Sequence, residues 1–335
     1  MAMLIQRFLK IDQSEVEFER RGFVCSKADI RVRLESIGRF FLQGYHAALL
    51  EADPNLLAGT LNHIDQHHRG FAYEGAAMAL ALMDGVSFRG DGFSRFLAGD
   101  GKQHVFMLHV GAGWAYARLP WMRWRIETVI KKLHPVLRWL VMDGYGFHEG
   151  YFHGSHQQRL RDSVSRLSLD ARHVFYQGLG RSLWFAKGAN AQEISASISL
   201  LPLLYHNDAW SGIGLACAYA GGMGQNAIAE LQRQAGMHAP ALAQGAAFAA
   251  KARQFAGNPA QHTEDACAML CHMRAEEAAV LCDATFSRID LLRPCPYQHW
   301  RELMQQSLFP PSEILLRGDS YESNISPFLV ATKSH

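Results

Sequence analysis

One short phrase recurs along this chain, and its spacing limits the fold more than any other feature. The phrase is a small or Gln/Glu residue, then Gly, then a run rich in Ala and aromatic residues. It occurs around Gly44, Gly75, Gly113, Gly150, Gly180, Gly214 and Gly245, with a degenerate eighth copy at Glu277-Ala278. The steps between anchors are 31, 38, 37, 30, 34, 31 and 33 residues. A period near 33 is the length of a helix–turn–helix unit such as the tetratricopeptide repeat. The strict consensus of that repeat is absent, so the spacing predicts an architecture and not that family.

The segments between anchors fit the unit. Ala191 to Leu204, Gln225 to Ala235 and Gln261 to Met273 read as amphipathic helices, with Ile194, Ile198 and Leu201 at i, i+4, i+7. Gly188-Ala-Asn190, Gly221-Gly222, Gly236 and Gly257-Asn-Pro259 supply turn signals. No stretch sustains period-2 alternation. The expected fold is all-α: helix pairs stacked in a tetratricopeptide-like solenoid or closed into an αα ring, each unit burying its face on its neighbours. Residues 1–37 read as an N-terminal extension, 38–305 as the repeat domain and 306–335 as a tail. The Gly85 to Gly101 stretch, with Phe88, Phe93 and Phe96, reads as a locally packed loop.

Composition narrows the function classes. Across 335 residues, 33 Lys/Arg balance 31 Asp/Glu, and no basic block offers a nucleic-acid footprint. Charged residues are 19% and hydrophobic ones 49%, which fits a chain with extensive internal surface. Ala209 to Ala229 is long enough to span a bilayer, but glycines, Ser211, Gln225 and Asn226 interrupt it, so stable membrane insertion is not expected. The first residues lack the apolar core and cleavage site of a signal peptide, which points to the cytoplasm. Six cysteines form no CxxC pair; Cys267 and Cys271 read as buried core thiols. Nucleophile-elbow, dinucleotide and phosphate-loop motifs are missing, so no cofactor is expected.

Several long phrases resemble a bacterial family of unknown function. They are Gly70 to Leu82 (GFAYEGAAMALAL), Asp143 to Phe152 (DGYGFHEGYF), Gly178 to Phe185 (GLGRSLWF), Trp210 to Gly222 (WSGIGLACAYAGG) and Gln244 to Arg253 (QGAAFAAKAR). Genes of that family lie beside enediyne polyketide synthases and in other natural-product clusters. The resemblance covers residues 38 to 305 and implies a role in maturing a polyene or related metabolite. It brings no catalytic residue with it.

The densest polar–aromatic run is Asp143 to His153, with His148, Glu149, Tyr151 and His153. A carboxylate beside an imidazole is an acid/base pair once burial tunes both. The structural alternative is a Glu at the start of a helix beginning near residue 149, with packed histidines. Aligning the anchors places Glu74 and Glu149 at equivalent positions, on one shared concave face. Tyr73, Trp114, Tyr151, Trp184, Phe185 and Trp210 are candidate walls, Arg181 a carboxylate or phosphate clamp, and Gln244 a polar contact. Each ring could equally be ordinary core. His63 and His67, four apart, with Glu74 form a weaker His/carboxylate metal pattern.

Three readings follow. The first is a cofactor-independent cyclase or isomerase acting on a hydrophobic polyene or isoprenoid-like intermediate, with Glu74, His148, Glu149 and His153 as catalytic groups. The second is a non-enzymatic scaffold that holds a biosynthetic enzyme of the same pathway in its groove. The third is a metal-dependent oxygenase on His63, His67 and Glu74.

Overall fold

The computed structural model describes residues 9–51, 53–87 and 90–310, and it is helical with no strand among them. Phe88 of the expected loop lies outside these residues. Eight long helices recur at the repeat period: α1 Ala28–Leu50, α2 Gln66–Val86, α3 Val105–Arg118, α4 Leu140–His153, α5 Leu169–Ala186, α6 His206–Ala220, α7 Ala239–Phe255 and α8 Ala275–Phe286. Each packs on the next. Shorter outer helices, such as Gln157–Ser165, Ala191–Ser199, Gln225–Ala235 and Gln261–Leu270, carry the chain back between them.

Local chemistry explains the two classes. Helices α2 to α7 hold central stretches buried all round, whereas α1 keeps an exposed face; α2 exposes nothing from Gly70 to Leu82, as expected of a helix with no polar face. The outer helices are amphipathic: Gln225–Ala235 buries Ile228, Leu231 and Ala235 alone. Side chains of Asp53, Asp65, Ser168 and Asn190 accept the orphan N–H groups at their helix starts.

The repeating glycines set how close the inner helices come. A Cβ on Gly113 of α3 would land on the Val141 carbonyl of α4, and one on Gly144 of α4 would land on the Val110 carbonyl of α3. The same reciprocal contact joins Gly146 with Gly178, Gly180 with Gly212, Gly214 with Gly245, and Gly44 with Gly75 across successive pairs. Gly lets the backbones touch, which offsets its poor helix propensity.

This contact corrects the fourth anchor. In α4 the crossing glycines are Gly144 and Gly146, whereas Gly150 faces the Ser182 side chain. The phrase Glu-Gly at 149–150 lies one turn beyond the crossing, so Glu149 is not equivalent to Glu74. The helix also starts at Leu140 and not near residue 149, so Glu149 is an interior residue and its helix-start reading is withdrawn. Glu277 does sit in a first helical turn, accepting from the Arg274 N–H at 2.8 Å. Residues 37 and 38 lie inside α1, and Phe18 N–H donates to Glu35 of that helix at 3.1 Å. The segment from Leu9 therefore packs on the repeats instead of preceding them. Residues 92–98 of the expected loop form a helix that buries Phe93 and Phe96.

The stack closes on itself. Arg33 of α1 donates to the Ala220 carbonyl of α6 at 2.8 Å, Phe71 of α2 meets Tyr219 of α6 at 5.1 Å between ring centroids, and Arg253 of α7 reaches the His67 carbonyl of α2. A further helix, α9 (Pro296–Leu308), inserts Tyr297, Trp300 and Arg301 against α5, α6 and α7. The interior thus becomes an enclosed apolar space.

Candidate functional site

Inner faces of α1 to α6 surround a cavity of about 70 Å³. Trp114, Phe147, Tyr151 and Phe185 form its aromatic wall, with Met78 and Tyr219 opposite and Ile11 and Val16 of the N-terminal segment covering one side. Phe147 and Tyr151 stack at 5.9 Å, and Trp114 packs on Phe147 at 4.9 Å. A smaller void of about 30 Å³ shares Met107, Arg181, Leu215 and Tyr219 with the first and reaches Tyr297 and Trp300.

Glu15 lines this chamber at its covered side, and two buried charged side chains, Glu74 and Arg181, face it from the inner helices. Glu74 accepts from Trp114 Nε1 at 3.1 Å, and Arg181 lies 3.7 Å from the same carboxylate oxygen. Arg181 makes a closer pair with Asp143, at 2.8 Å, and its guanidinium covers the Phe147 ring at 4.8 Å. Burial pushes the Glu74 carboxyl up to about 7 despite Arg181, and neighbouring Asp143 adds to the rise. Asp143 is raised by its own burial, against the pull of Arg181 and Gln177.

Asp143 begins a buried polar ladder. Gln177 donates to it at 2.7 Å, Ser211 bonds Gln177 at 3.4 Å and Gln244 at 2.8 Å, and Arg301 links Gln244 to Asp208. Successive rungs are 34, 34 and 33 residues apart, one per unit. Each rung directly precedes a crossing glycine, so the helix contacts align the polar groups. The ladder is not fully paired, because Gln244 Nε2 is buried without a hydrogen-bond partner, and its other members are held by the bonds just described.

On the other side of Trp114 and Phe152 lies a polar, open vestibule of about 500 Å³. His148 and His153 of α4 line it with Lys10, Arg118, Arg123 and Arg159. Behind His148, Glu149 takes the imidazole Nδ1–H at 3.3 Å, Arg159 Nε at 3.1 Å and Ser163 Oγ at 3.1 Å. Burial acts to raise Glu149, but the hydrogen bonds and charges of His148 and Arg159 overcome it and hold the group at about 2. Burial lowers His148 against the pull of Glu149, and lowers His153 to about 4. Neutral His148, with Nδ1–H on a carboxylate, has Nε2 left as a base.

Of the residues expected from sequence, Glu74, Trp114, Tyr151, Arg181 and Phe185 meet at the chamber, while His148 and His153 line the vestibule, with Glu149 behind His148. Three expected wall residues and the expected polar contact lie elsewhere. Tyr73 stacks on His104 at 4.0 Å and donates to Asn62, outside the ring. Trp184 ties α5 to the Gly221 carbonyl at 3.0 Å, Trp210 is buried core, and Gln244 is spent on the ladder. Helical periodicity marks burial but not which side of an all-round buried helix faces the cavity.

The His63, His67, Glu74 metal pattern is not assembled. His63 Nδ1 bonds the Gly59 carbonyl at the surface, whereas Glu74 lies inside the ring. The three-residue cluster that does bring ligand atoms within 4.8 Å of one another, among the described residues, is His148, Glu149 and His153. Glu149 already serves Arg159 and Ser163, and the surrounding arginines set a field that opposes a cation. Residues that sequence reasoning missed are Asp143 as the partner of Arg181, the ring of Phe147, and the vestibule arginines. The 34-residue spacing of Asp143, Gln177 and Ser211 was a usable signal; nothing marked Arg159.

No helix among the described residues is long and apolar enough to cross a membrane. No curated protein and no solved structure matches the chain. A family profile does, over residues 1–308, which takes in every inner helix, the chamber, the vestibule and the segment that covers them. The chain therefore belongs to the family described as protein of unknown function (DUF1702).

Proposed function

We propose that this protein is a cofactor-independent cyclase or isomerase of natural-product biosynthesis, acting in the cytoplasm on a polyene or isoprenoid-like chain from a neighbouring synthase. The observation that carries the reading is Glu74: a carboxyl with a pKa of about 7, buried against an aromatic chamber. Such a group delivers a proton to an alkene near neutral pH. The faces of Trp114, Phe147, Tyr151 and Phe185 then stabilise the resulting carbocation. Loss of a proton from a neighbouring carbon to a base completes an isomerisation or cyclisation with no net change in protons. The base in this reading is His148, oriented by Glu149 and in edge contact with the Trp114 ring at 5.8 Å. The closed interior supports a small-molecule substrate over a protein partner held in a groove.

The chamber is small beside the roughly 150 Å³ of an apolar cavity that admits benzene. A substrate therefore enters with movement of the N-terminal segment at Ile11 and Val16. The test is deletion of the gene in its host, identification of the accumulating metabolite, and complementation with wild type or Glu74→Gln. Glu74→Gln is expected to leave the precursor unconverted. Product formation at the wild-type level by a folded Glu74→Gln protein would reject the reading.

A further inference from the structure

Arg181, the clamp expected for an acidic substrate end, is already committed. It pairs with Asp143 at 2.8 Å, lies beside Glu74, and is buried. The unspent positive charge is in the vestibule. Among the described residues, Lys10, Arg118 and Arg123 have no ion pair or hydrogen-bond partner, and all three line the same open space as His148 and His153. Of the vestibule's acids, Glu15 is held by Arg20 at 3.3 Å and Arg21 at 3.2 Å, whereas Asp12 accepts only the Ser14 N–H at 2.9 Å and sets its charge against Lys10.

We propose that the vestibule binds the phosphate head of an amphiphilic substrate whose apolar chain passes into the aromatic chamber. Geometry joins the two spaces, because Ile11, Glu15 and Phe152 line both. The partition is thin: the Arg21 guanidinium covers the Phe152 ring at 4.9 Å and pairs with Glu15. Charge count selects the head group. With Asp12 set against Lys10, the two arginines Arg118 and Arg123 remain uncompensated; they exceed what one carboxylate neutralises and match a phosphate ester with several oxygens, for which guanidinium forks are well shaped. A chain anchored there by its head would present its interior carbons to Glu74. This substrate class rests on the chamber being the reaction site.

The test is calorimetric binding of decyl phosphate, decanoate and decanol, each below its micellar concentration, to the full chain and to Arg118→Gln/Arg123→Gln. Decyl phosphate is expected to bind at least about tenfold more tightly than decanol, with decanoate between, and to weaken as salt rises. The double variant should lose most of that advantage while its decanol affinity stays unchanged. Decyl phosphate binding no more tightly than decanol, or decanoate matching it, would overturn the proposal, as would a double variant that weakens all three alike. Inorganic diphosphate alone separates a free phosphate site from a head-group site: it should bind more weakly than decyl phosphate, and tighter binding would sink the amphiphile. These measurements read no turnover. Missing head-group selectivity with an inactive Glu74→Gln rejects the head-group site alone, and selectivity with an active Glu74→Gln rejects the catalytic reading alone.

Discussion

Glu74 and Glu149 are two buried glutamates on inner helices, and they titrate in opposite directions. Glu74 rises to about 7 and Glu149 falls to about 2. Depth does not separate them, since their side chains are 5% and 0% exposed. Partners do. Glu149 collects an imidazole, a guanidinium and a hydroxyl within 3.3 Å. Glu74 has one indole N–H and a guanidinium at 3.7 Å that favours Asp143. Burial raises a carboxyl unless hydrogen bonds and charge return what desolvation removed. One end of the interior therefore holds a proton near neutrality, and the other holds a fixed negative charge.

The two groups leave opposite marks on stability. Glu74 has a folded pKa above its ordinary 4.5, so the folded state binds more protons between about 4.5 and 7, and stability falls as pH rises through that window. Glu149 has a folded pKa below 4.5, so its contribution is present above that value and is lost as pH falls toward 2.

The strongest way to break the contrast is Asp143→Ala. It leaves Arg181 buried without its closest partner, a change expected to cost roughly 3–5 kcal/mol. Arg181 would then turn to Glu74 and pull its pKa down toward that of Glu149. Urea denaturation together with the pH dependence of stability reads both effects, and an unchanged Glu74 window would contradict the shared-arginine account.

Glu74→Gln sharpens the comparison next. On the catalytic proposal it lowers turnover by ~10²- to 10⁴-fold, and it should flatten the decline in stability between pH 4.5 and 7. Melting temperatures across that range check the second outcome without knowledge of the substrate. Glu149→Gln should do the reverse. It removes a charge that Arg159 and His148 rely on, destabilises by about 1–3 kcal/mol near pH 7, and abolishes the acid-side loss between pH 4.5 and 2. A Glu149→Gln protein as stable as the wild type near pH 7 would contradict the pairing account of this carboxylate.

The smallest expected effect is that of Trp114→Phe. The ring wall is largely kept, but the one hydrogen bond to Glu74 is lost, at about 1 kcal/mol. The pH at which Glu74 deprotonates should move upward, visible as a shift of the stability window or of a turnover profile. A downward shift would mean that the indole is not what restrains it.

Much of the fold was legible before any coordinates. The Gly-plus-small phrases mark where inner helices cross, and six of the seven glycine anchors lie on such contacts. The seventh misled because α4 carries Gly144, Gly146 and Gly150, and the phrase at 149–150 looked more like its neighbours than the true crossing did. By its contact with the preceding helix Gly144 answers to Gly75, so Asp143 and not Glu149 matches Glu74, and the offset between Asp143 and Glu149 turns the latter to another face. Wall residues were legible only in part, because on a helix buried all round every aromatic has the same sequence signature. Phe185 faces the cavity and Trp184 does not.

What the residues decide by themselves is local or steric: helix over strand, the unit length, and the places where only glycine lets two backbones meet. Closure of the ring depended on Arg33 finding the Ala220 carbonyl and Phe71 finding Tyr219, contacts between units far apart in the chain. The state of each glutamate was likewise set from a distance. Arg159 and Ser163, on an outer helix, reach Glu149, whereas Arg181 is held away from Glu74 by Asp143. A side chain's charge depends on the sum of desolvation and pairing at its final position, and that position exists only once the helices have packed.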